Sequence, residues 1–232
     1  MRHLLTALAL IGAIFGGPLF AQEERVVVEL YTSQGCSSCP PADALLDELA
    51  KRNEVIALAL HVDYWDYLGW KDTFSSAEFS ARQNGYARAA NSRTVYTPQM
   101  IIGGVDHVVG SKTMEVMDRV AQRRDAENLV GLKVVRNLET LEIEAEPRRA
   151  GLGNMVVQVV RYEPIETVDI KRGENAGKSV RYVNIVTAWD LIGPWDGVGT
   201  MKMIAPVAGD APVVVIVQKV GFGPIVAAVE LR

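Results

Sequence analysis

The chain has 232 residues, 49 % of them hydrophobic, and a formal charge of −4. That is the length of one large domain or two modest ones, with the composition of an ordinary folded protein. The charge is mild and dispersed, and no run of lysine or arginine is dense enough to suggest a nucleic acid or an anionic membrane surface as partner.

Arg2 gives a positive start, residues 4–15 an apolar stretch, Gly16-Gly17-Pro18 a break, and Ala21 a small residue for cleavage. This order of features is that of a secretory signal peptide over residues 1–21. Left uncleaved, the apolar segment is about the minimum length that spans a bilayer, so a removed leader and a retained anchor are both open. Either reading makes the remainder periplasmic or secreted.

The β-branched run over residues 25–31 predicts a buried strand, and residues 32–35 a turn. Cys36-Ser37-Ser38-Cys39-Pro40-Pro41 follows. Ala42, Leu45, Leu46 and Leu49 then fall at the spacing of one helical face. Because residues before proline avoid helical geometry, the helix proper is expected to begin at Pro41, with Cys36 well ahead of it. Residues 55–62 read as a second apolar strand. His61, Asp63, Tyr64, Trp65, Asp66, Tyr67 and Trp70 crowd into the segment that follows. It reads either as an aromatic lip over the cysteines, with His61 or Asp63 handling protons, or as a long connection packed down by its own rings. Ser75 and Glu78 stand in capping-box spacing before a helix running to about residue 90. A strand over residues 97–104 is entered through Pro98 and closed by Gly103-Gly104, and residues 105–109 pair back on it. Met114, Met117, Val120 and Ala121 mark a last amphipathic helix.

The character changes near residue 128. Residues 141–146 alternate as a half-buried strand does, and further strands are expected over 155–162, 180–189, 213–217 and 225–231. The resulting division is a signal peptide over 1–21, an α/β domain over 22–127, and an all-β, sandwich-like domain over 128–232. Gly173-Glu174-Asn175-Ala176-Gly177-Lys178-Ser179 has one residue too few between its glycines for a phosphate loop and is flanked by strands, so it reads as a turn.

Cys36 and Cys39 are the only cysteines. In an oxidising compartment a disulfide between them persists, but it closes a very small loop and so constrains the unfolded chain little. Redox chemistry fits the spacing better. A thiolate attacks a disulfide through a mixed disulfide, and a helix N-terminus stabilises that thiolate. Cys36, first and nearer the exposed turn, is expected to attack and Cys39 to resolve. Two alternatives stay open. Outside residues 1–21 the chain holds two histidines, His61 and His107, so Cys36, Cys39 and His61 could serve a Cu(I) or zinc carrier. The disulfide could also hold a turn in a non-catalytic interaction module.

The order strand, C-x-x-C, helix, strand, helix, Thr97-Pro98 before a strand, strand, helix resembles the thioredoxin superfamily over residues 25 to about 127. That resemblance implies a cis Pro98, with Thr97 and Pro98 binding an extended substrate segment beside the cysteines. The whole chain also resembles the exported bacterial family catalogued as domain of unknown function 1223. This rests on Leu30-Tyr31-Thr32-Ser33-Gln34-Gly35-Cys36-Ser37-Ser38-Cys39-Pro40-Pro41-Ala42-Asp43, His61-Val62-Asp63-Tyr64-Trp65-Asp66, Tyr96-Thr97-Pro98-Gln99, Arg172-Gly173-Glu174-Asn175-Ala176-Gly177 and Trp195-Asp196-Gly197. The expectation is therefore an exported thiol–disulfide oxidoreductase acting on protein or small-molecule thiols. It needs no cofactor.

Overall fold

The structure is a computed structural model that describes residues 25–232; the signal peptide expected over residues 1–21 lies outside the described residues. In chain order the elements are β1 (Val26–Thr32), α1 (Pro40–Ala50), β2 (Val55–His61), α2 (Ala77–Ala89), β3 (Gln99–Ile102), β4 (Asp106–Val109) and α3 (Thr113–Arg124). There follow β5 (Val130–Asn137), β6 (Thr140–Pro147), β7 (Met155–Asp169), β8 (Ser179–Trp195), β9 (Met201–Pro206), β10 (Val213–Lys219) and β11 (Ile225–Leu231). This is a mixed α/β protein dominated by sheet.

One eight-stranded sheet has the order β11-β10-β7-β8-β2-β1-β3-β4, and a three-stranded sheet has the order β5-β6-β9. The buried runs of β1 and β2 follow from cover on both faces. Val26, Val28 and Leu30 pack with Ala57, Ala59 and the α1 and α3 side chains Leu46, Leu49, Val116 and Val120. The alternate residues Val27, Tyr31, Ile56, Leu58 and Leu60 pack with Phe79 and Tyr86 of α2 on the other face. That second core continues without a break into Val160, Tyr162, Val214 and Ile216 of β7 and β10.

The two units expected on either side of residue 127 therefore share a sheet. β5, β6 and β9 form the smaller layer, where Leu141, Ile143 and Ala145 point inward against Val157, Val159, Val213 and Val215. β7, β8, β10 and β11 extend the main sheet instead, and β8 meets β2 at a parallel bridge, Ala59 opposite Ile185. Without β8, β2 would be an edge strand with unpaired backbone groups beside fully buried side chains. Asn184 helps close that edge: its backbone turns left-handed, φ 47°, and its side-chain amide donates to the Ala57 carbonyl at 2.9 Å.

Helix starts differ from expectation in detail. Cys39 takes helical geometry despite the proline after it (φ −77°, ψ −36°) and caps α1, which begins at Pro40. Ser76, not Ser75, caps α2 by accepting from the Glu78 backbone N–H; the Ser75 hydroxyl donates to Asp66 instead. On α3 the buried stripe is Val116 and Val120, while Met114 is 82 % exposed.

A buried ion pair fixes α2 against the sheet. Arg82 donates to Glu29 through Nε at 2.8 Å and Nη2 at 3.0 Å. The Tyr31 and Tyr86 hydroxyls also donate to that carboxylate, and burial beside it raises both phenols well above their ordinary range. Gln158 of β7 and Gln218 of β10 accept from Arg82, whose guanidinium lies 3.6 Å from the Trp189 ring centre.

Candidate functional site

β1 ends at Thr32, and the chain turns at once: the Cys36 N–H donates to Ser33 O and the Cys39 N–H to Cys36 O. Cys36 and Cys39 are joined as a disulfide with their Cα atoms 5.4 Å apart. Cys36 is 4 % exposed and Cys39 0 %, while Ser37 and Ser38 between them are exposed. Gly35 is closely packed: a Cβ there would lie 3.3 Å from Trp65 Cβ and from the Trp65 carbonyl oxygen.

The aromatic segment after β2 grips this turn. Gln34 is fully buried. Its backbone N–H donates to Asp72 Oδ2 at 2.7 Å, and its side chain donates to Thr73 and accepts from the Trp70 indole. Trp65, lying against Gly35, donates from Nε1 to Thr97 Oγ1 at 2.7 Å, which brings Thr97 to the cysteine turn. The Thr97–Pro98 peptide is cis, and the Pro98 carbonyl accepts from Gly110. Asp63 accepts from the Ser80 hydroxyl of α2 and its backbone N–H donates to the same oxygen.

Beneath the disulfide lies a buried polar cluster. Asp43 stands one helical turn after Cys39, its N–H donating to the Cys39 carbonyl at 3.1 Å, so the two side chains share a face of α1. Thr32 Oγ1 donates to Asp43 Oδ1 at 2.8 Å. Burial pushes the Asp43 carboxyl up to about 7; His61 and the Thr32 bond oppose that rise and Asp72 adds to it. His61 lies opposite Thr32 in the ladder, its Nδ1 2.7 Å from Asp72 Oδ2, with neither side chain exposed. With Nδ1 engaged by the Asp72 carboxylate, Nε2 is the ring's remaining hydrogen-bonding atom. His61 Nε2 and Asp43 Oδ2 are both buried without a hydrogen-bond partner among the described residues. The imidazole sits edge-on to Phe74 and Tyr182, and burial, Asp43 and Asp72 together raise the Tyr182 phenol. A groove of about 470 Å³ is lined by Pro40, Asp43, Asp47, Lys178 and Arg181, so of this cluster Asp43 stands on a wall that faces the surface.

The structure thus gathers Cys36, Cys39, Trp65, Thr97 and, one layer below, His61. Among the described residues no group of three or more His, Cys, Asp or Glu is placed to hold a metal ion, with Cys36 and Cys39 joined to each other. His107, on β4, faces the Tyr86 ring. Three residues at the site carried no functional expectation: Asp43, Asp72 and Asn175. Asn175, in the turn between β7 and β8, is 1 % exposed and donates to the backbone carbonyls of Gln34 and Cys36. Only Asp43 could have been read from spacing, as an acid at i+4 from Cys39.

The sequence model of the family described as "Protein of unknown function (DUF1223)" matches residues 27–218. No curated protein matches the chain. Among solved structures, the chain is similar to protein AGR_C_4864 from Agrobacterium tumefaciens, at 36 % identity and a TM-score of 0.77, covering 91 % of this chain and 96 % of that one. It is also similar to HBP35 of Porphyromonas gingivalis, at 13 % identity and a TM-score of 0.60, covering 90 % of this chain and 75 % of that one. The latter is a likeness of fold alone. Among the described residues no helix is long and apolar enough to cross a membrane.

Proposed function

The chain belongs to the DUF1223 family, whose function is unknown, and from that premise we propose that it is an exported thiol–disulfide oxidoreductase with a thioredoxin-like core. The observation that carries this reading is the Cys36–Cys39 disulfide at the start of α1, one helical turn from the buried carboxyl of Asp43. The core reading is supported by β1, flanked by β2 and β3, with α1 and α3 on one face and α2 on the other. Protein or small-molecule thiols are the substrates, in an oxidising compartment, periplasmic or secreted.

In this mechanism a substrate thiolate attacks Cys36 Sγ, the Cys36–Cys39 bond breaks, and the electron pair leaves on Cys39 Sγ. Cys39 is wholly buried, where a bare thiolate is costly. The protonated form of Asp43 supplies the proton and is refilled from solvent through the groove. A second substrate thiol, losing its proton, attacks the substrate sulfur of the mixed disulfide. Cys36 leaves with that electron pair and takes up a proton. Two substrate thiols become a disulfide and the protein becomes a dithiol; run backwards, the pair reduces a substrate disulfide. Equilibration of the protein in glutathione buffers, with thiols trapped and counted, tests the reading. A reduction potential between about −120 and −270 mV supports it. Exchange that persists unchanged in Cys36→Ser would end it.

The near-complete cover over both sulfurs favours a second reading, an interaction module whose disulfide only holds the turn. A potential below about −300 mV, with no exchange with glutathione, would choose that reading.

A further inference from the structure

Residues 170–178 join β7 to β8, and of them the exchange mechanism touches only Lys178, on the groove wall. The turn is tied to itself: Ile170 N–H donates to Lys178 O at 2.9 Å, Gly177 N–H to Ile170 O at 2.7 Å, and Ala176 N–H to Gly173 O at 3.2 Å. Gly173 has φ +77°, and a Cβ there would meet Trp70 at 3.2 Å, so the turn lies against the same loop that grips Gln34. This frame delivers one side chain inward. Asn175 Nδ2 donates to Gln34 O at 2.9 Å and to Cys36 O at 2.8 Å, which uses both of its hydrogens. Asn175 Oδ1 accepts from Lys178 Nζ at 2.8 Å. That ammonium makes no ion pair with a carboxylate among the described residues, and a charged donor strengthens the chain of bonds behind it.

The two carbonyls stand on either side of Gly35, at the mouth of the disulfide loop. Cys36 O also accepts from the Cys39 N–H at 3.2 Å. A single amide bridging both carbonyls fixes the Gln34–Gly35 and Cys36–Ser37 peptide planes, the second of which flanks the Cys36 Cα. Opening the disulfide takes the sulfurs from bonding to contact distance, and any widening of the turn that accompanies it would move those planes away from the clamp made in the closed form. The clamp fits the closed form.

We propose that Asn175 is a positioning residue for the dithiol: it holds the Gln34 and Cys36 carbonyls where the closed disulfide needs them and so favours the oxidised form over the open dithiol. Lys178 reinforces it through Oδ1. This rests on the exchange reading for its use in function, but the bias it predicts belongs to the Cys36–Cys39 equilibrium whether or not a substrate exists.

The test is the equilibrium constant for reduction, measured in dithiothreitol and glutathione buffers on wild type, Asn175→Ala, Lys178→Met and Asn184→Ala. Loss of the clamp is worth about one net hydrogen bond in the closed form. Asn175→Ala should therefore reduce about tenfold more readily, about 30 mV upward for a two-electron couple. Lys178→Met should move the same way by about two- to threefold. Asn184 makes a comparable buried amide–carbonyl bond away from the cysteines, so its loss should lower the melting temperature and leave the constant unchanged. If Asn175→Ala does not fold, Lys178, exposed on the surface, decides alone. Constants within the error of wild type for Asn175→Ala and Lys178→Met overturn the proposal, as does an equal shift in Asn184→Ala. A shifted constant in a protein without exchange activity keeps the positioning role and removes the exchange reading. Normal exchange with an unshifted constant removes the positioning role alone.

Discussion

Asp43→Asn should make this protein more stable, and the gain should depend on pH. Burial raises the Asp43 carboxyl from 3.8 to about 7. Between those values the folded chain holds a proton that the unfolded chain has released, so stability falls as pH rises through the window. Above pH 7 the full cost of the charged form is about 4 kcal/mol. Asparagine stays neutral throughout. Its oxygen still accepts from Thr32 Oγ1, as Asp43 Oδ1 does, and its NH₂ stands where Oδ2 has no partner. At pH 4, where Asp43 is itself protonated, variant and wild type should be nearly equal. At pH 8.5 the variant should be ahead by about 4 kcal/mol, roughly 8–16 °C in melting temperature for a chain of this size. Urea and thermal unfolding of the oxidised proteins at pH 4, 6 and 8.5 measure the difference, and comparing two proteins at each pH cancels every other titrating group. A difference that stays within about 1 kcal/mol across the range refutes the reasoning. It would mean that water entering the groove solvates the carboxylate and that Asp43 is an ordinary acid.

The remaining predictions concern the frame. Arg82→Met leaves Glu29 as an unpaired carboxylate at 0 % exposure and should cost about 3–5 kcal/mol in chemical denaturation. Adding Glu29→Gln should recover part of that loss, and a double variant as weak as the sum of the singles would contradict the pairing. Gly104→Ala places a Cβ 2.8 Å from the Gly223 carbonyl at φ +74°, whereas Gly151→Ala has φ +76° and nothing within 4 Å. The second should cost about 1–2 kcal/mol from backbone alone, and the first at least about 1 kcal/mol more from overpacking. Equal melting temperatures for the two would show that the β3–β4 turn yields freely.

Where burial pattern is local, the sequence was legible. The runs of β1, β2 and β10 carry apolar residues on both faces, and β6 alternates cleanly between Leu141, Ile143 and Ala145 inward and its glutamates outward. β5 and β9 escaped because their patterns are mixed: the exposed Val135 and Ile204 and the intervening Gly131 blur a period of two. α3 was placed, but its stripe was drawn through Met114 when Val116 is the buried residue; apolar character alone does not say which face meets the sheet. The largest gap was long-range. No periodicity shows that β8 closes the edge of β2, because that pairing rests on a parallel bridge and the Asn184 amide.

The same distinction runs through the site. Cys36 and Cys39 are legible because the chemistry they imply is written in four consecutive residues. Asp43 was legible in principle, since i+4 from Cys39 on a helix is a contact. An acid in the first turn of a helix ordinarily faces water, but here its neighbours Ala42 and Leu46 carry it inward. Asp72 and Asn175 belong to a different class. Asp72 reaches Gln34 and His61 only because the 62–76 loop folds back, and Asn175 reaches the cysteine turn from 139 residues away. Yet two segments that marked the chain as a family member, the C-x-x-C run and Arg172-Gly173-Glu174-Asn175-Ala176-Gly177, are the two that touch here. The β-rich half therefore contributes part of the wall of the cysteine site. A fragment ending near residue 127 would lose the two Asn175 bonds at the turn and the β8 cover on β2 together, so the exchange proposed for the cysteines should be measured on the whole chain.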